Sequence, residues 1–419
     1  MRTAVRRRVE RIGELRCRIR DVPGNLDYPY WEPRDFSDDL VVDHRPTYSS
    51  WSGLQSALGS LVSTSIDPRV SPWQLHVFRG VRGAPRCDRD ALVVVLQVSH
   101  AFADGRRASA LARALFGLGD PPFTNAPEPP PRPPAMLARA LLGLPVRIVR
   151  LIAQGRRAAA ANRALEQATT AGQVPAPAAG RPLVGLNVDP GAERVVRMVV
   201  CPAEEFRAGD HTVTVVALTA VSVALSRLLA VRGENVPDAL GAEVTVAGDA
   251  SGTARNNYRN AGVELFVTEP DLRVRAERIA GELARRRARL SSPLLAQRDS
   301  ANDFVPAPLL RFGVDRYSLD AIPETVTGNT VVSSVNRGPA DLALAGGPVV
   351  FSAGFPGLSP VMSLTHGVYG LGDTVTIGVT ASPRVIPNLD DYGQTLREAV
   401  AEVSATLGPR AGVQGDTGL

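Results

Sequence analysis

Apolar residues recur along the chain with two periods, one suited to strands and one to helices. The run "DALVVVLQV" (90–98) is nearly continuous in apolar, β-branched residues, as expected of a strand buried on both faces. "SPWQLHVFRGVRG" (71–83) precedes it and reads as its antiparallel neighbour. Helical spacing marks 50–61 and resumes at "RRASALARALFGL" (106–118), while the N-terminal stretch "MRTAVRRRVERIGELRCRIR" reads as an amphipathic helix. In the second half, "ERVVRMVVC" (193–201), "NTVVSSV" (329–335), "GPVVFSAGF" (347–355) and "DTVTIGVTAS" (373–382) predict strands. "DLRVRAERIAGELARRRARL" (271–290) and "NLDDYGQTLREAVAEVSATL" (388–407) predict helices. "TVTVVALTAVSVALSRLLAV" (212–231) is long and apolar enough to span a bilayer. Its hydroxyls, Arg227 and the lack of a second such span assign it instead to a buried core.

Both halves mix strands with helices, and 419 residues exceed what one core supports, so two lobes of α/β type are expected. The lobes are separated by "DPPFTNAPEPPPRPP" (120–134), an extended proline-rich linker, and by 136–165, apolar residues plus arginine with an interruption near Pro145. The division is an N-terminal lobe over 1–118, linker and basic amphipathic helix over 119–185, and a C-terminal lobe over 186–419. In the middle part Arg139, Arg147, Arg150, Arg156, Arg157 and Arg163 accompany no acid before Glu166. That pattern suits a membrane or lipid-droplet contact and equally a helix packed between domains.

Composition narrows the classes. At 44% apolar and 21% charged residues the chain is globular. The net charge of +5 rests entirely on arginine, since no lysine occurs; the arginines are dispersed among acids with few aromatics beside them, which argues against nucleic acid as a partner. Cys17, Cys87 and Cys201 are scattered and lack metal-ligand spacing, and no apolar signal segment opens the chain. A reduced, cytoplasmic protein is expected.

Candidate chemistry centres on "LQVSHAFADGRRASALARALFG" (96–117). His100 falls where a predicted core strand ends, before a helix, the position from which a rigid element aims a side chain. Read locally, it is either a general base or an ordinary polar residue at a strand-to-helix turn. Asp104 lies four residues on, a spacing across a turn that does not by itself secure a contact with the imidazole. Gly105 allows close backbone packing. No third ligand accompanies His100 and Asp104, so no metal site is expected. Trp73 reads most simply as core; His44, His76, His211 and His366 carry weaker claims.

Ordered landmarks give these residues a family setting. "YWEPRDFSDDLVVDHRP" (30–46), "IDPRVSPWQLHVFRGVRG" (66–83), "SHAFADG" (99–105), "SSVNRGPADLALAGGPV" (333–349) and "TVTIGVTASPRVIPNLDDYGQTLREAV" resemble, in order, segments of the bacterial wax ester synthase/diacylglycerol acyltransferase family. "SHAFADG" is similar to its HHxxxDG motif. The resemblance implies two chloramphenicol-acetyltransferase-like lobes, each a mixed sheet with packed helices, and a tunnel at their interface. It implies transfer of an acyl group from acyl-coenzyme A to a hydroxyl, with His100 as base and no bound cofactor. Ser99, Asp104 and Gly105 would support the site, Asp104 by pointing away from the histidine and pinning the loop through an arginine, with Trp73, Ser334 and His366 as tunnel candidates. Partners are acyl-coenzyme A and a hydroxyl-bearing, lipid-like acceptor, with peripheral contact to membrane or lipid droplets. There are departures. Ser99 replaces the motif's first histidine, Thr214 and Val215 stand where the family has Asn-Asp, and the chain begins without the family's usual first strand. These keep two other readings open: a condensation-type enzyme taking its acyl group from a carrier protein, and a catalytically silent lipid-binding paralogue.

Overall fold

In the computed structural model, residues 1–44, 49–117, 119, 125–248, 255–316 and 322–409 are described. The N-terminal part runs α1 (Arg2–Arg11), β1 (Cys17–Arg20), β2 (Tyr30–Pro33), β3 (Val41–His44), α2 (Trp51–Ser63), β4 (Trp73–Val81), β5 (Ala91–Val98) and α3 (Gly105–Phe116). β3, β4 and β5 form a mixed sheet in that order, parallel then antiparallel, and β1 pairs with β2 in a separate hairpin. Strand alternation sends Leu75, Val77, Val94 and Leu96 to one face, against Val5 and Val9 of α1 and Leu111 of α3. Phe78, Val81, Val93 and Val95 go to the other, against Leu54 and Leu58 of α2. Trp73 is fully buried, and its indole N–H donates to the Leu15 carbonyl at 2.8 Å. Both faces of β5 are thus covered, as its sequence predicts, yet none of its residues is buried. The reason is its position: among the described residues β5 is the edge of a three-stranded sheet, and its outer rim has no strand neighbour there.

The second part begins with α4 (Pro133–Thr170), β6 (Val195–Pro202), α5 (Val213–Val231), β7 (Gly241–Ala247), β8 (Tyr258–Glu264) and α6 (Leu272–Leu290). It continues through α7 (Pro293–Asp299), α8 (Ala307–Asp315), β9 (Thr330–Asn336), the two-residue strands β10 (Ala343–Leu344) and β11 (Gly347–Pro348), β12 (Leu364–Leu371), β13 (Thr374–Ala381) and α9 (Leu389–Leu407). Six strands form one mixed sheet in the order β6-β13-β12-β9-β7-β8. Helices α5, α6 and α9 cover one face of it, burying Val332, Val368 and Ile377. The apolar helix α5 is core, as its hydroxyls suggest: Thr219 and Ser222 donate within the helix, and Ser222 accepts from the buried Arg275 at 3.0 Å. α2 packs against β6, so the N-terminal lobe rests on the sheet's other side.

Three expectations need correction. The N-terminal helix ends at Arg11, and Cys17–Arg20 pairs as a strand. α4 continues through Pro145 as one helix of 38 residues, even though that proline has no N–H for the Leu141 carbonyl. Within 347–355 only Gly347–Pro348 is strand. Residues 354–356 instead cross the sheet over a glycine floor: Gly367 and Gly378 are cross-strand partners, and a β-carbon on Gly378 would overlap the Gly354 carbonyl. The predicted strand lies further on, in "LTHGVYGL". Residues beyond Pro409 lie outside the described set.

Candidate active site at the lobe seam

The turn after β5 is fastened at both ends and free in the middle. Ser99 donates its N–H to the Pro72 carbonyl at 2.8 Å, and its own carbonyl accepts from Phe102 and Ala103. Phe102 and Ala103 are buried. Between them His100 and Ala101 are exposed, and the His100 imidazole makes no hydrogen bond among the described residues. Ser99 Oγ accepts from the Ala101 N–H at 3.3 Å, so it shapes the turn.

Asp104 closes the turn and joins the lobes. It is the N-cap of α3, where one carboxylate oxygen accepts from the Arg107 N–H at 2.8 Å. The other accepts from the Asn257 N–H at 3.0 Å, and the Asp104 N–H donates to the Arg255 carbonyl at 3.2 Å. The pinning partners are therefore main-chain groups rather than a guanidinium, and the carboxylate makes no contact with His100. A β-carbon at Gly105 would meet Val335 of β9 at 3.4 Å, ordinary contact, so α3 starts directly against the opposite sheet. Further along α3, Arg113 donates to the carbonyls of Arg337 (2.8 Å) and Pro339 (3.0 Å) and pairs with Asp341.

Sequence reasoning missed Arg255. Its guanidinium lies over Trp31 and Phe102, 4.6 and 5.2 Å from the ring centroids, and those rings meet edge to face. Burial pushes its pKa down, with a smaller opposing contribution from Cys17, yet arginine stays charged at working pH. No local pattern marks this residue, because its partners lie more than 150 positions away. Also missed was Ser333, whose hydroxyl is 2.8 Å from that of Thr245. Strand parity puts Ser333 and Val335 on the face of β9 turned to the N-terminal lobe.

The same parity corrects Ser334: it shares a face with the buried Val332 and turns towards the helix layer. Trp73 is core. His366 is fully buried, with Nδ1 3.0 Å from the Thr330 hydroxyl and Nε2 2.7 Å from the Tyr392 hydroxyl, and burial pushes its pKa down to about 4. Trp73 and His366 are thus fully buried, whereas the His100 ring is exposed. His44 and His76 pair with each other at 3.0 Å, and burial lowers both pKa values. Burial pushes the Cys17 and Cys201 thiols up to about 11, so neither supplies a thiolate.

A sequence model of the wax ester synthase/diacylglycerol acyltransferase catalytic domain matches residues 1–215. The chain belongs to this family. The family's C-terminal domain matches residues 260–404, and membership makes the chain an acyltransferase. Among solved structures it is similar to the wax ester synthase/diacylglycerol acyltransferase of Marinobacter aquaeolei VT8, at 17% identity and a TM-score of 0.62, covering 97% of this chain and 89% of that one. It is also similar to the starter condensation domain of rhizomide synthetase in complex with C8-CoA (11% identity, TM-score 0.54, 97% and 85% covered). A third is the first condensation domain of the CDA synthetase (14%, 0.51, 97% and 88%). These likenesses establish a fold shared by wax ester synthases and condensation domains. No curated protein sequence matches the chain significantly.

Proposed function

We propose that the chain is an acyl-coenzyme A-dependent O-acyltransferase of the wax ester synthase/diacylglycerol acyltransferase type, with His100 as general base and an alcohol as acceptor. The observation that carries this reading is the state of the His100 turn: both ends are tied to backbone, the imidazole is exposed and unpaired among the described residues, and the opposite lobe holds the turn through Asp104. Histidine titrates near working pH, so one imidazole can take a proton and return it. Neutral His100 accepts the acceptor's hydroxyl proton as that oxygen bonds to the thioester carbonyl carbon. The tetrahedral adduct then expels the coenzyme A thiolate, which takes the proton back from the imidazolium, leaving an ester and the free thiol. No covalent enzyme intermediate is required. The neighbouring condensation domain whose structure holds C8-CoA supports acyl-coenzyme A as donor. Three free cysteines suit the reducing cytoplasm.

The test is product formation from acyl-coenzyme A and a panel of alcohols and diacylglycerol, with His100→Ala beside the wild type. Loss of a general base lowers kcat by about a hundred to ten-thousandfold; an unchanged rate in a folded variant overturns the assignment. A second reading rests on Ser99 and on Thr214–Val215 at the start of α5, where the family has histidine and Asn-Asp. On that reading the chain binds lipid without turnover, and the wild type gives no product from either acyl-coenzyme A or an acylated carrier protein. Product from the carrier alone identifies a condensation-type donor.

A further inference from the structure

The six-stranded sheet presents a polar face to the N-terminal lobe close to where the His100 turn meets it. Ala242 and Val244 of β7, Val263 of β8 and Val332 of β9 pack into the core under the helices. Strand parity therefore puts Glu243, Thr245, Asn260 and Ser333 together on the opposite face. Thr245 is the cross-strand partner of Asn260, and the pairing of Val244 with Val332 carries on to Thr245 beside Ser333. The Thr245 and Ser333 hydroxyls are 2.8 Å apart, and the Asn260 amide donates to Glu243 Oε1 at 2.6 Å.

Two contacts tie this face to the turn. Val335, two residues along β9 from Ser333, faces Gly105, and Asn257, three residues before Asn260, is held by Asp104. At about 3.3 Å per residue, the polar group begins about 7–10 Å from these anchors. Its borders are close-packed. The Tyr369 ring and hydroxyl lean over Gly367, the cross-strand partner of Ser333. The Thr327 carbonyl and Ala178 close over Gly262, the partner of Glu243. Between these borders Glu243, Thr245 and Ser333 are half-buried and Asn260 is exposed. Glu243 has no arginine partner among the described residues, in a chain with 47 arginines. Burial pushes its pKa up, and the Asn260 amide opposes that shift.

Resting on the acyl transfer proposed above, we infer that this face seats the acceptor, and that the acceptor is a polyol with neighbouring hydroxyls. A carboxylate that accepts, an amide that does both and two hydroxyls that give and take hydrogen bonds match adjacent hydroxyls in a ligand. An alkyl chain laid over the same groups would strip them of water and return no hydrogen bond. In this arrangement the hydroxyl nearest the turn is the one His100 deprotonates, while the others bond to Glu243, Thr245 and Asn260.

The experiment has two arms. In the first, saturation-transfer NMR on the full-length His100→Ala protein, with coenzyme A present, reads binding of glycerol, glucose and 1-hexanol without turnover. The polyols are expected to give signal and 1-hexanol none. Adding Glu243→Gln, which keeps a carbonyl oxygen for Asn260, or Asn260→Ala at its exposed position should remove the signal. No polyol signal in the parent, or equal signal in both added variants, overturns the inference. In the second arm, acyl transfer from palmitoyl-coenzyme A to the same acceptors and to ethanolamine is compared in wild type and Glu243→Gln. The polyol KM should rise about ten- to a hundredfold with kcat at saturation retained, the mark of lost binding rather than lost chemistry. A wild type that prefers 1-hexanol or ethanolamine overturns the polyol assignment. Polyol binding in the first arm with no transfer in the second counts against the acyltransferase reading and leaves the polyol site standing.

Discussion

Removing the Asp104 carboxylate separates its two roles. In Asp104→Ala, the α3 N-cap bond from Arg107 (2.8 Å) and the inter-lobe bond from Asn257 (3.0 Å) are both lost. The cap contributes about 1 kcal/mol. A hydrogen bond to a charged acceptor contributes about 1.5–3 kcal/mol. Asp104→Ala should therefore cost about 2–4 kcal/mol. Asp104→Asn keeps a capping oxygen, since asparagine caps as well as aspartate. Its amide, however, turns N–H groups towards the Asn257 N–H, so only the inter-lobe bond is lost, at about 1.5–3 kcal/mol. Urea denaturation of the three proteins reads this order directly. The pH–rate profile supplies the second readout: a pin lowers kcat in both variants by the same factor at every pH, whereas a proton relay shifts the acid limb in Asp104→Asn. An unchanged urea midpoint in Asp104→Ala, or a shifted acid limb in Asp104→Asn, refutes the argument.

Two other outcomes follow from buried groups. Folding holds His366 at a pKa of about 4, below the roughly 6.5 of a free histidine. The unfolded chain then takes the proton first, so this contribution is complete above pH 6.5 and falls away towards pH 4, by about 3 kcal/mol. Urea midpoints across that range should show the decline, with His44 and His76 acting in the same direction; His366→Gln should flatten it, and an equally steep curve in that variant would sink the assignment. Trp73→Phe removes the indole bond to the Leu15 carbonyl and part of a filled core, costing about 2–4 kcal/mol with KM for acyl donor unchanged; a raised KM without loss of stability would place Trp73 on a substrate path instead.

What was legible in the sequence is what local pattern determines. The strand-to-helix turn around His100 and the burial of α5 depend on near neighbours and on apolar density. The strands β7, β8 and β12 were not legible: "GAEVTVA" and "LTHGVYGL" are interrupted by glycine and polar groups whose purpose is tertiary. Gly367 and Gly378 leave room for the chain at 354–356, so they dilute the apolar signal of the strands they sit in. Ser334 illustrates a different limit. In "TVVSSV" both parities carry one valine and one serine near the middle, so the pattern could not say which serine faces the site; only the packing of Val332 on the helices decides it. Arg255 has no sequence signal at all, since Trp31 and Phe102 reach it through tertiary structure alone.

In the proposed reaction one exposed imidazole is the focus of the site, and the seam is what would hold it in place. β5 supplies direction, but as a half-buried edge strand it supplies less rigidity than a central strand would. The missing constraint comes from the opposite lobe: Arg255 packs over Phe102 two residues after His100, Asn257 holds Asp104, and Arg113 ties α3 to 337–341. Each contact joins segments more than 150 positions apart, so the turn is ordered only while the lobes stay docked. Loosening the seam at Arg113 should therefore disturb His100 without touching it, whereas changes confined to the outward face of α4 should leave the turn as it is.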